Sequence, residues 1–260
     1  MLGGVVRRTV VLVGAALVAS GCAATVSGEP VVAAGAGATT TRGGAATTTA
    51  GSTRTSSGGS GKRCAYRADG EVTQNPAHRL SGKPEAVAED KPVTVVVDTS
   101  SGAIPVKLDV AKTPCTVRSF VFLATQDYFT NTTCHRLTAY EQLKVLQCGD
   151  PSGTGTGGPG YVVPDEFPVG LKAAGGGSVI YPRGTVALAN AGPGTGGSQF
   201  FVVYGDSAIP PTYSVFGETD ATGLSTVDQV AGRGVSPSSS DPGDGQPATT
   251  VTIVRATVRE

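Results

Sequence analysis

Short runs of alternating apolar and polar residues, separated by Gly, Pro, Asn and Asp, fill most of the chain after residue 92. Residues 93–97 form the first run, and residues 103–108 form the second after a polar turn. Runs of this length, rich in Val and Ile, are typical of β-strands. Pro105 interrupts the second run, which predicts an edge strand or a bulge there, because proline cannot donate to a strand ladder.

Two segments show helical spacing instead. The apolar residues of the first lie three or four positions apart, at Val117, Phe120, Val121 and Ala124. Thr113 is a suitable N-cap and Pro114 suits the first helical position, so we predict a helix from Pro114 to about Asp127. A shorter helix is predicted over residues 224–231 and ends at Gly232.

The remaining strand patterns are joined mostly by turns. They occupy residues 133–137, 144–148, 186–189, 199–204, 213–217 and 249–258. Gly-rich loops lie at residues 149–160 and 190–197, and residues 236–247 have the composition of a disordered loop. About eight strands and two helices favour a mainly β fold, a closed eight-stranded antiparallel barrel capped by two α-helices, because closure removes exposed sheet edges.

Composition narrows the class of partner. The chain has 260 residues, with 20 basic and 20 acidic side chains and a formal net charge of zero. A nucleic-acid-binding protein usually carries a basic patch, and none stands out, so we expect no nucleic-acid partner. The 38 glycines suit loops and β-structure better than long helices, and Trp is absent.

The first 21 residues read as an export signal. Arg7 and Arg8 precede an apolar run over residues 9–19 that is too short to span a bilayer. Small residues then lead to Cys22, in a pattern similar to a bacterial lipobox, although Ala19 stands where Leu is commoner. We therefore expect a lipid on Cys22 that anchors the protein to the cell membrane, facing the outside of the cytoplasm. A plain secretory signal cleaved near the same place is the alternative.

Three further segments follow the signal. Residues 22–62 consist mainly of Ala, Gly, Thr and Ser, which cannot bury enough surface to offset their ordering entropy, so we predict a disordered tether. Residues 63–91 are polar and irregular and are predicted to form a surface extension. The folded domain is predicted over residues 92–260.

The other cysteines are Cys64, Cys115, Cys134 and Cys148. Outside the cytosol an even number suggests disulfides, and four cysteines allow three pairings. If the strands at residues 133–137 and 144–148 are antiparallel neighbours, Cys134 and Cys148 face each other and Cys64 is left with Cys115. Free buried thiols are the alternative. Neither these cysteines nor the two histidines have the spacing of metal ligands, so we expect no metal and no cofactor.

Three motifs that could indicate a nucleotide site, a serine hydrolase or a carboxylate pair lack the flanking sequence that these sites require. Residues 153–158 match G-x-G-x-x-G, but Pro159 and Pro164 forbid the helix that a dinucleotide site needs. Ser198 lacks the G-x-S-x-G elbow of a serine hydrolase. Asp150, a possible partner for another carboxylate, lies in a Gly-Asp-Pro turn and is predicted to cap it.

A different set of polar residues lies beside apolar strand residues: Arg136, Gln147, Asn190 and Gln199. An arginine in a half-buried strand is costly unless it is paired or directed at a ligand. Here the chain resembles the cyclophilins, which are peptidyl-prolyl cis-trans isomerases. The motifs that carry the resemblance are His135-Arg136, Gln147-x-Gly149-Asp150, Thr156-Gly157-Gly158, ANAGP at residues 189–193, GSQFF at residues 197–201 and Val215-Phe216-Gly217. It covers roughly residues 92–260 and suits an exported, actinobacterial-like lipoprotein form.

The resemblance implies an eight-stranded barrel with two helices, a peptide groove on its outer face and isomerase activity on Xaa-Pro bonds. Arg136 is then the catalytic residue, and Phe201 forms the floor of the proline pocket. The implied substrate-binding residues are Val145, Gln147, Gly155, Ala189, Asn190, Ala191, Gln199, Phe201, Ile209 and Tyr213. Proline-containing polypeptides are the expected clients, and a monomer is expected.

Several positions depart from the family. The family's Trp is replaced by Ala208, its pocket His by Tyr213, and the segment over residues 137–146 is longer. Its pocket Phe is not recognisable, and Leu143 or Lys144 occupies that region. We therefore expect a shallower, less aromatic groove that binds cyclosporin weakly. A module that holds proline segments with little turnover, or a structural lipoprotein domain, are the alternative functions.

Overall fold

The structure is a computed structural model that describes residues 63–69, 80–84 and 93–259. The predicted signal, the Cys22 lipidation site and the predicted tether over residues 22–62 lie outside this range. Within it, no helix combines the length and the apolar character needed to cross a bilayer.

The described residues form fourteen strands and two helices. The strands are β1 (Arg67–Ala68), β2 (Thr94–Thr99), β3 (Gly102–Leu108), β4 (Arg136–Tyr140), β5 (Leu143–Cys148), β6 (Tyr161–Val162), β7 (Ala173–Gly175), β8 (Ser178–Tyr181), β9 (Thr185–Leu188), β10 (Phe200–Gly205), β11 (Ser207–Ile209), β12 (Val215–Thr219), β13 (Asp244–Gly245) and β14 (Ile253–Arg259). The helices are α1 (Pro114–Thr125) and α2 (Ala221–Ala231).

One antiparallel sheet of nine strands forms the body of the domain, in the order β13-β4-β5-β10-β9-β12-β3-β2-β14. Each of these strands except β13 has four residues or more, which leaves the eight that the sequence predicts. Thr133 forms bridges to Asp150, just after β5, and to Thr252, just before β14, so both halves of the sheet meet at this residue. The mainly β fold, the strongly curled antiparallel sheet and the two helices are confirmed.

The inside of the curled sheet holds the main apolar core. Alternate residues of β2 and β3 point inward, so that Val95, Val97, Ile104 and Val106 are almost fully buried. From α1, Phe120 lies 4.9–5.2 Å, between ring centroids, from the rings at 129, 200 and 216. Helix α1 packs near β14, and α2 packs against β3.

The N-terminus of α1 is capped from elsewhere in the chain. Thr113 makes no side-chain cap hydrogen bond, so the predicted N-cap interaction is wrong. Instead the buried Glu166 carboxylate accepts hydrogen bonds from the backbone N–H groups of Cys115 (3.2 Å) and Thr116 (2.8 Å). A carboxylate suits this position because the first N–H groups of a helix have no partner within the helix.

Helix α2 begins three residues earlier than predicted. The Asp220 side chain accepts hydrogen bonds from the N–H groups of Thr222 (2.9 Å) and Gly223 (3.0 Å), which is an N-cap interaction. The apolar spacing that predicts this helix begins only at Leu224, so it gives no signal for the turn that Asp220 caps.

Pro105 lies in an interior strand, because β3 is flanked by β2 and β12. The ladder with β2 is continuous through Pro105, and the ladder with β12 ends one residue away, at Val106. The prediction of an edge or a bulge is therefore wrong, since the missing N–H costs little where the second ladder has already ended.

The predicted disordered loop at residues 236–247 is also wrong. It contains β13, which pairs with β4 in the register Asp244–Thr138 and Gly245–Leu137. Backbone hydrogen bonds, including Ser236 N–H to the Gln246 carbonyl at 2.7 Å, close the loop on itself. Its Ser, Pro and Gly content reflects tight turns.

The described part of the predicted surface extension joins the domain. Cys64 and Tyr66 are buried, and a disulfide links Cys64 to Cys115 on α1. The Tyr66 hydroxyl donates to the Cys115 carbonyl oxygen (2.7 Å), and β1 pairs with β6. The Cys64–Cys115 pair is the one expected from the sequence if Cys134 pairs with Cys148. The burial of Cys64 and Tyr66 shows that this part of the segment is packed into the domain and is not only a surface extension.

Candidate active site

A second apolar cluster lies on the outer face of the sheet. Its buried members come from alternate positions of β5, β9 and β10 and from β8: Val145, Tyr181, Ala187, Phe201 and Val203. Successive strand residues point to opposite faces, so Phe200 enters the main core while Phe201 points outward. The outer face therefore has an apolar floor.

A cavity of about 240 Å³ opens over this floor. Its lining residues are Arg136, Leu143, Val145, Gln147, Ala189, Asn190, Phe201, Ile209 and Tyr213. Apart from Leu143, all of them are predicted site residues. The structure thus brings the predicted catalytic arginine and the predicted pocket floor together around one cavity.

The other predicted residues, Gly155, Ala191 and Gln199, line an adjoining cavity of about 360 Å³. The two cavities share Gln147, Ala189 and Asn190, so they form one continuous groove.

Aromatic rings set the shape of the first cavity. The rings of Phe201 and Tyr213 meet edge to face, 5.5 Å apart at an interplanar angle of 82°. Tyr181, which sequence analysis missed, lies beneath them and its hydroxyl donates to the carbonyl oxygen of Tyr213 (3.1 Å). Burial raises the pKa of Tyr181 to about 12, so its hydroxyl stays protonated. Tyr181 therefore holds the segment that carries Tyr213.

The wall between Arg136 and Gln147 is a regular β-hairpin. Strands β4 and β5 pair in register from Arg136–Gln147 to Tyr140–Leu143, with residues 141–142 at the turn. Strand alternation directs Leu143 toward the groove with Val145 and Gln147, which resolves the choice between Leu143 and Lys144. An aliphatic wall thus replaces the aromatic one of the family pattern.

Arg136 is held by a carboxylate that sequence analysis did not identify. Its Nε donates to Asp244 Oδ1 (2.7 Å) and its Nη2 donates to Asp244 Oδ2 (2.6 Å). These hydrogen bonds raise the pKa of Arg136, so the guanidinium stays charged. Asp244 lies more than one hundred residues further along the chain, in the loop predicted to be disordered, and no sequence signal linked the two.

Gln199 connects the pocket to the Gly-rich loop. Its Nε2 donates to the carbonyl oxygens of Gly155 (2.9 Å) and Gly157 (3.0 Å), and its Oε1 accepts from Gln147 Nε2 (2.8 Å). The side-chain amide of Gln199 therefore forms hydrogen bonds within the protein through both its nitrogen and its oxygen. The side-chain amide oxygen of Gln147 is left for a ligand.

Asp150 organises the same loop. Its Oδ1 accepts from the N–H and the hydroxyl of Ser152, both at 2.7 Å, and its Oδ2 accepts from Gly155 N–H. Burial alone would raise the pKa of Asp150, but the hydrogen bonds from Ser152, Gly157 and Gly155 outweigh it and hold the pKa below its usual range. Gly157 is required here, because an added Cβ would lie 2.1 Å from Asp150 Oδ1. Strand β6, and no helix, follows this loop.

Two further polar side chains, Asn190 and Ser198, and a second disulfide stabilise the loops around the groove. The Asn190 side chain donates to the Thr212 carbonyl oxygen (2.7 Å) and accepts from Gly192 N–H (3.1 Å), so it shapes the loop over residues 190–197. The buried Ser198 hydroxyl donates to the Gly149 carbonyl oxygen (2.7 Å). A second disulfide joins Cys134, two residues before β4, to Cys148, the last residue of β5 and the neighbour of Gln147.

The sequence is similar to that of a known enzyme family and to two mycobacterial proteins. Residues 94–258 match the sequence model of the family described as cyclophilin type peptidyl-prolyl cis-trans isomerase/CLD. The chain is 47% identical over 197 residues to the probable peptidyl-prolyl cis-trans isomerase B of Mycobacterium tuberculosis, covering 74% of this chain and 63% of that protein. It is 50% identical over 169 residues to the Mycobacterium leprae protein of the same name, covering 62% of this chain and 55% of that protein. The chain thus spans less than two thirds of either relative.

The fold has a counterpart among solved structures. A cyclophilin type peptidyl-prolyl cis-trans isomerase of Cryptosporidium parvum superposes with a TM-score of 0.53 at 25% identity, covering 65% of this chain and 99% of that one. A crystal structure of the same protein in the presence of the dipeptide Ala-Pro gives a TM-score of 0.52 at 26% identity, covering 64% of this chain and 99% of that one.

Proposed function

Because the chain belongs to the cyclophilin-type peptidyl-prolyl cis-trans isomerases, we propose that it accelerates rotation about Xaa-Pro bonds in exported proteins while they fold. The observation that carries the proposal is the position of Arg136 at the edge of the cavity floored by Phe201. One group can then hold a proline ring while the other reaches the amide bond next to it.

The reaction makes no covalent intermediate. Amide resonance sets a rotation barrier of about 18–20 kcal/mol, and unaided Xaa-Pro isomerisation takes tens to hundreds of seconds. Resonance is lost in the twisted amide, and the nitrogen lone pair then becomes able to accept a hydrogen bond. A donor that meets this nitrogen only in the twisted state lowers the barrier, because it binds the transition state more tightly than the planar substrate.

Arg136 is this donor. Its guanidinium stays charged, which strengthens its hydrogen bonds. Phe201 and Tyr213 supply the apolar surface for the proline ring. The Gln147 carbonyl oxygen and the backbone at Ala189 and Asn190 border the same cavity and hold the chain on either side of the ring.

Export is supported by two features. The signal-like residues 1–21 precede the domain, and both disulfides fit an oxidising compartment. We further propose that the lipid is attached to Cys22 and holds the protein at the outer side of the cell membrane. A Cys22→Ser variant then appears in the soluble fraction while the wild type stays with the membrane, and equal membrane association of both forms contradicts the anchor.

Refolding of an exported protein with a slow Xaa-Pro phase tests the role in folding. Wild-type protein is expected to accelerate that phase in proportion to its concentration, whereas Arg136→Ala leaves it nearly unchanged. A module that only holds proline segments gives a different result, since wild type and variant both reduce aggregation while the slow phase keeps its unaided rate.

A further inference from the structure

We propose that Asp244 is a positioning residue for the isomerase reaction, because it holds the Arg136 guanidinium in the orientation that the twisted amide requires. This inference rests on the proposed function of the groove. It concerns a residue outside the cavity lining, on a strand at the edge of the main sheet.

The geometry of the pair leaves one side of the guanidinium to the groove. Asp244 takes the Nε hydrogen and one Nη2 hydrogen in a side-on, two-point arrangement. Arginine has five N–H donors in a planar fork, so the Nη1 hydrogens and the second Nη2 hydrogen stay available to a ligand. The carboxylate therefore fixes the plane of the fork without covering the edge at the cavity.

Asp244 is itself held firmly. Its N–H donates to the Asp241 carbonyl oxygen (3.3 Å), and its carbonyl oxygen accepts from the Ser239 hydroxyl (2.6 Å). The preceding Gly243 lies against the Tyr140 ring, where an added Cβ would lie 2.3 Å from a ring carbon, and the Tyr140 hydroxyl is hydrogen-bonded to Asp241. Tyr140, at the end of β4, thus braces the loop that carries the carboxylate.

Fixing Arg136 matters because an arginine side chain is otherwise mobile. Ordering a free arginine side chain costs rotamer entropy, because its long stem has many accessible conformers. With Asp244 in place the fork is ordered before substrate arrives, so the hydrogen bond to the twisted amide is not weakened by that cost. The pair is part exposed, with side-chain exposures of 40% and 28%, so its importance lies in orientation more than in stability.

The test compares Asp244→Ala and Asp244→Asn with a matched ion pair elsewhere. Arg183 and Asp228 also form a two-point ion pair away from the groove, but end-on, through Nη1 (2.8 Å) and Nη2 (2.6 Å). Asp228→Asn weakens this pair and serves as the control for the loss of an arginine–carboxylate contact. We expect Asp244→Ala to lower kcat roughly tenfold or more with KM little changed, and Asp244→Asn, which keeps one acceptor oxygen, to lose less. Asp228→Asn keeps wild-type kinetics.

A spectroscopic measurement separates positioning from a loss of folding. The side-chain Nε–H resonance of Arg136 is assigned by its absence in Arg136→Lys. We expect it to be sharp and protected from solvent exchange in the wild type, and broadened or lost through exchange in Asp244→Ala. The backbone amide resonances are expected to keep their wild-type positions in Asp244→Ala. Unchanged kcat in Asp244→Ala, or a rise in kcat, overturns the proposal. A wild type that binds peptide without turnover refutes the isomerase function itself, and the Nε–H signal still reports whether Asp244 orders the fork.

Discussion

The side chains of Gln147, on β5, and Gln199, just before the neighbouring strand β10, are joined by a 2.8 Å hydrogen bond. Gln199 also donates to two carbonyl oxygens of the Gly-rich loop, at Gly155 and Gly157. The pair thus couples the wall of the proline cavity to the wall of the adjoining cavity. A substitution at Gln199 is therefore expected to alter the walls of both cavities.

Gln199→Ala is expected to lower kcat/KM by roughly tenfold to 100-fold, since it removes two hydrogen bonds to the loop and one to Gln147, each worth about 1 kcal/mol. Peptide isomerisation at substrate concentrations below KM measures the effect. Gln229→Ala, on the exposed face of α2, is the control and keeps the wild-type value. A Gln199→Ala variant as active as this control would show that the hydrogen bonds from Gln199 to the Gly-rich loop do not contribute to activity.

Acid stability depends on Asp150, whose pKa is lowered in the folded state. A carboxyl group of this kind stabilises the fold above its unfolded pKa of about 3.9, and that stability is lost as pH falls from there through the folded pKa. Asp150→Asn is expected to lower the free energy of unfolding at pH 7 by about 1–3 kcal/mol. Urea titrations from pH 7 down to pH 3 provide the measurement. The difference between wild type and variant should shrink as pH falls, and a constant difference would refute this origin.

The Cys64–Cys115 disulfide should contribute to the stability of the domain, because it closes a segment of 51 residues. Replacing both cysteines with alanine is expected to lower the free energy of unfolding by about 3 kcal/mol, mainly by enlarging the unfolded ensemble. Urea midpoints of the double variant and the wild type measure the loss. Equal midpoints would mean that the segment before β2 adds nothing to the fold.

Cyclosporin binding is expected to be weak, because the resemblance puts Ala208 near the place of the family's Trp, whose aromatic N–H donor is then missing. Ala208→Trp is expected to tighten binding on the order of tenfold, from the recovered hydrogen bond and apolar contact. Calorimetry on both proteins tests this, with turnover as a check that the groove is intact. Equal cyclosporin affinities of the wild type and Ala208→Trp would contradict the correspondence between Ala208 and the family's Trp.

Much of the fold could be predicted from local patterns. Alternation predicts the eight strands of the main sheet other than β13, and the apolar spacing with Pro114 predicts α1, because these signals lie within a few residues. Alternation does not predict the short strands β1, β6, β7, β8, β11 and β13. Long-range partners could not be predicted in this way. Glu166 caps α1 from about fifty residues away, and the cap is invisible to any local rule.

The residues of the site likewise include some that local motifs predict and some that depend on long-range contacts. Arg136, Phe201 and Gln199 lie in motifs that resemble a known family, so their places in the groove could be expected. Asp244 and Tyr181 could not, because their roles depend on strand pairing and on the packing beneath the pocket. Ser and Gly around Asp244 suggested disorder, whereas the structure uses them for tight turns.

We propose that Arg136 accelerates Xaa-Pro rotation in the groove. Exchange NMR on an Ala-Pro peptide at equilibrium measures the cis-trans rate directly, with binding followed in the same samples. Wild-type protein is expected to raise the exchange rate, and Arg136→Ala to reduce that gain about 100-fold, while peptide affinity changes far less and the melting temperature stays near that of wild type. Equal exchange rates with the wild type and with a folded Arg136→Ala variant would contradict the account.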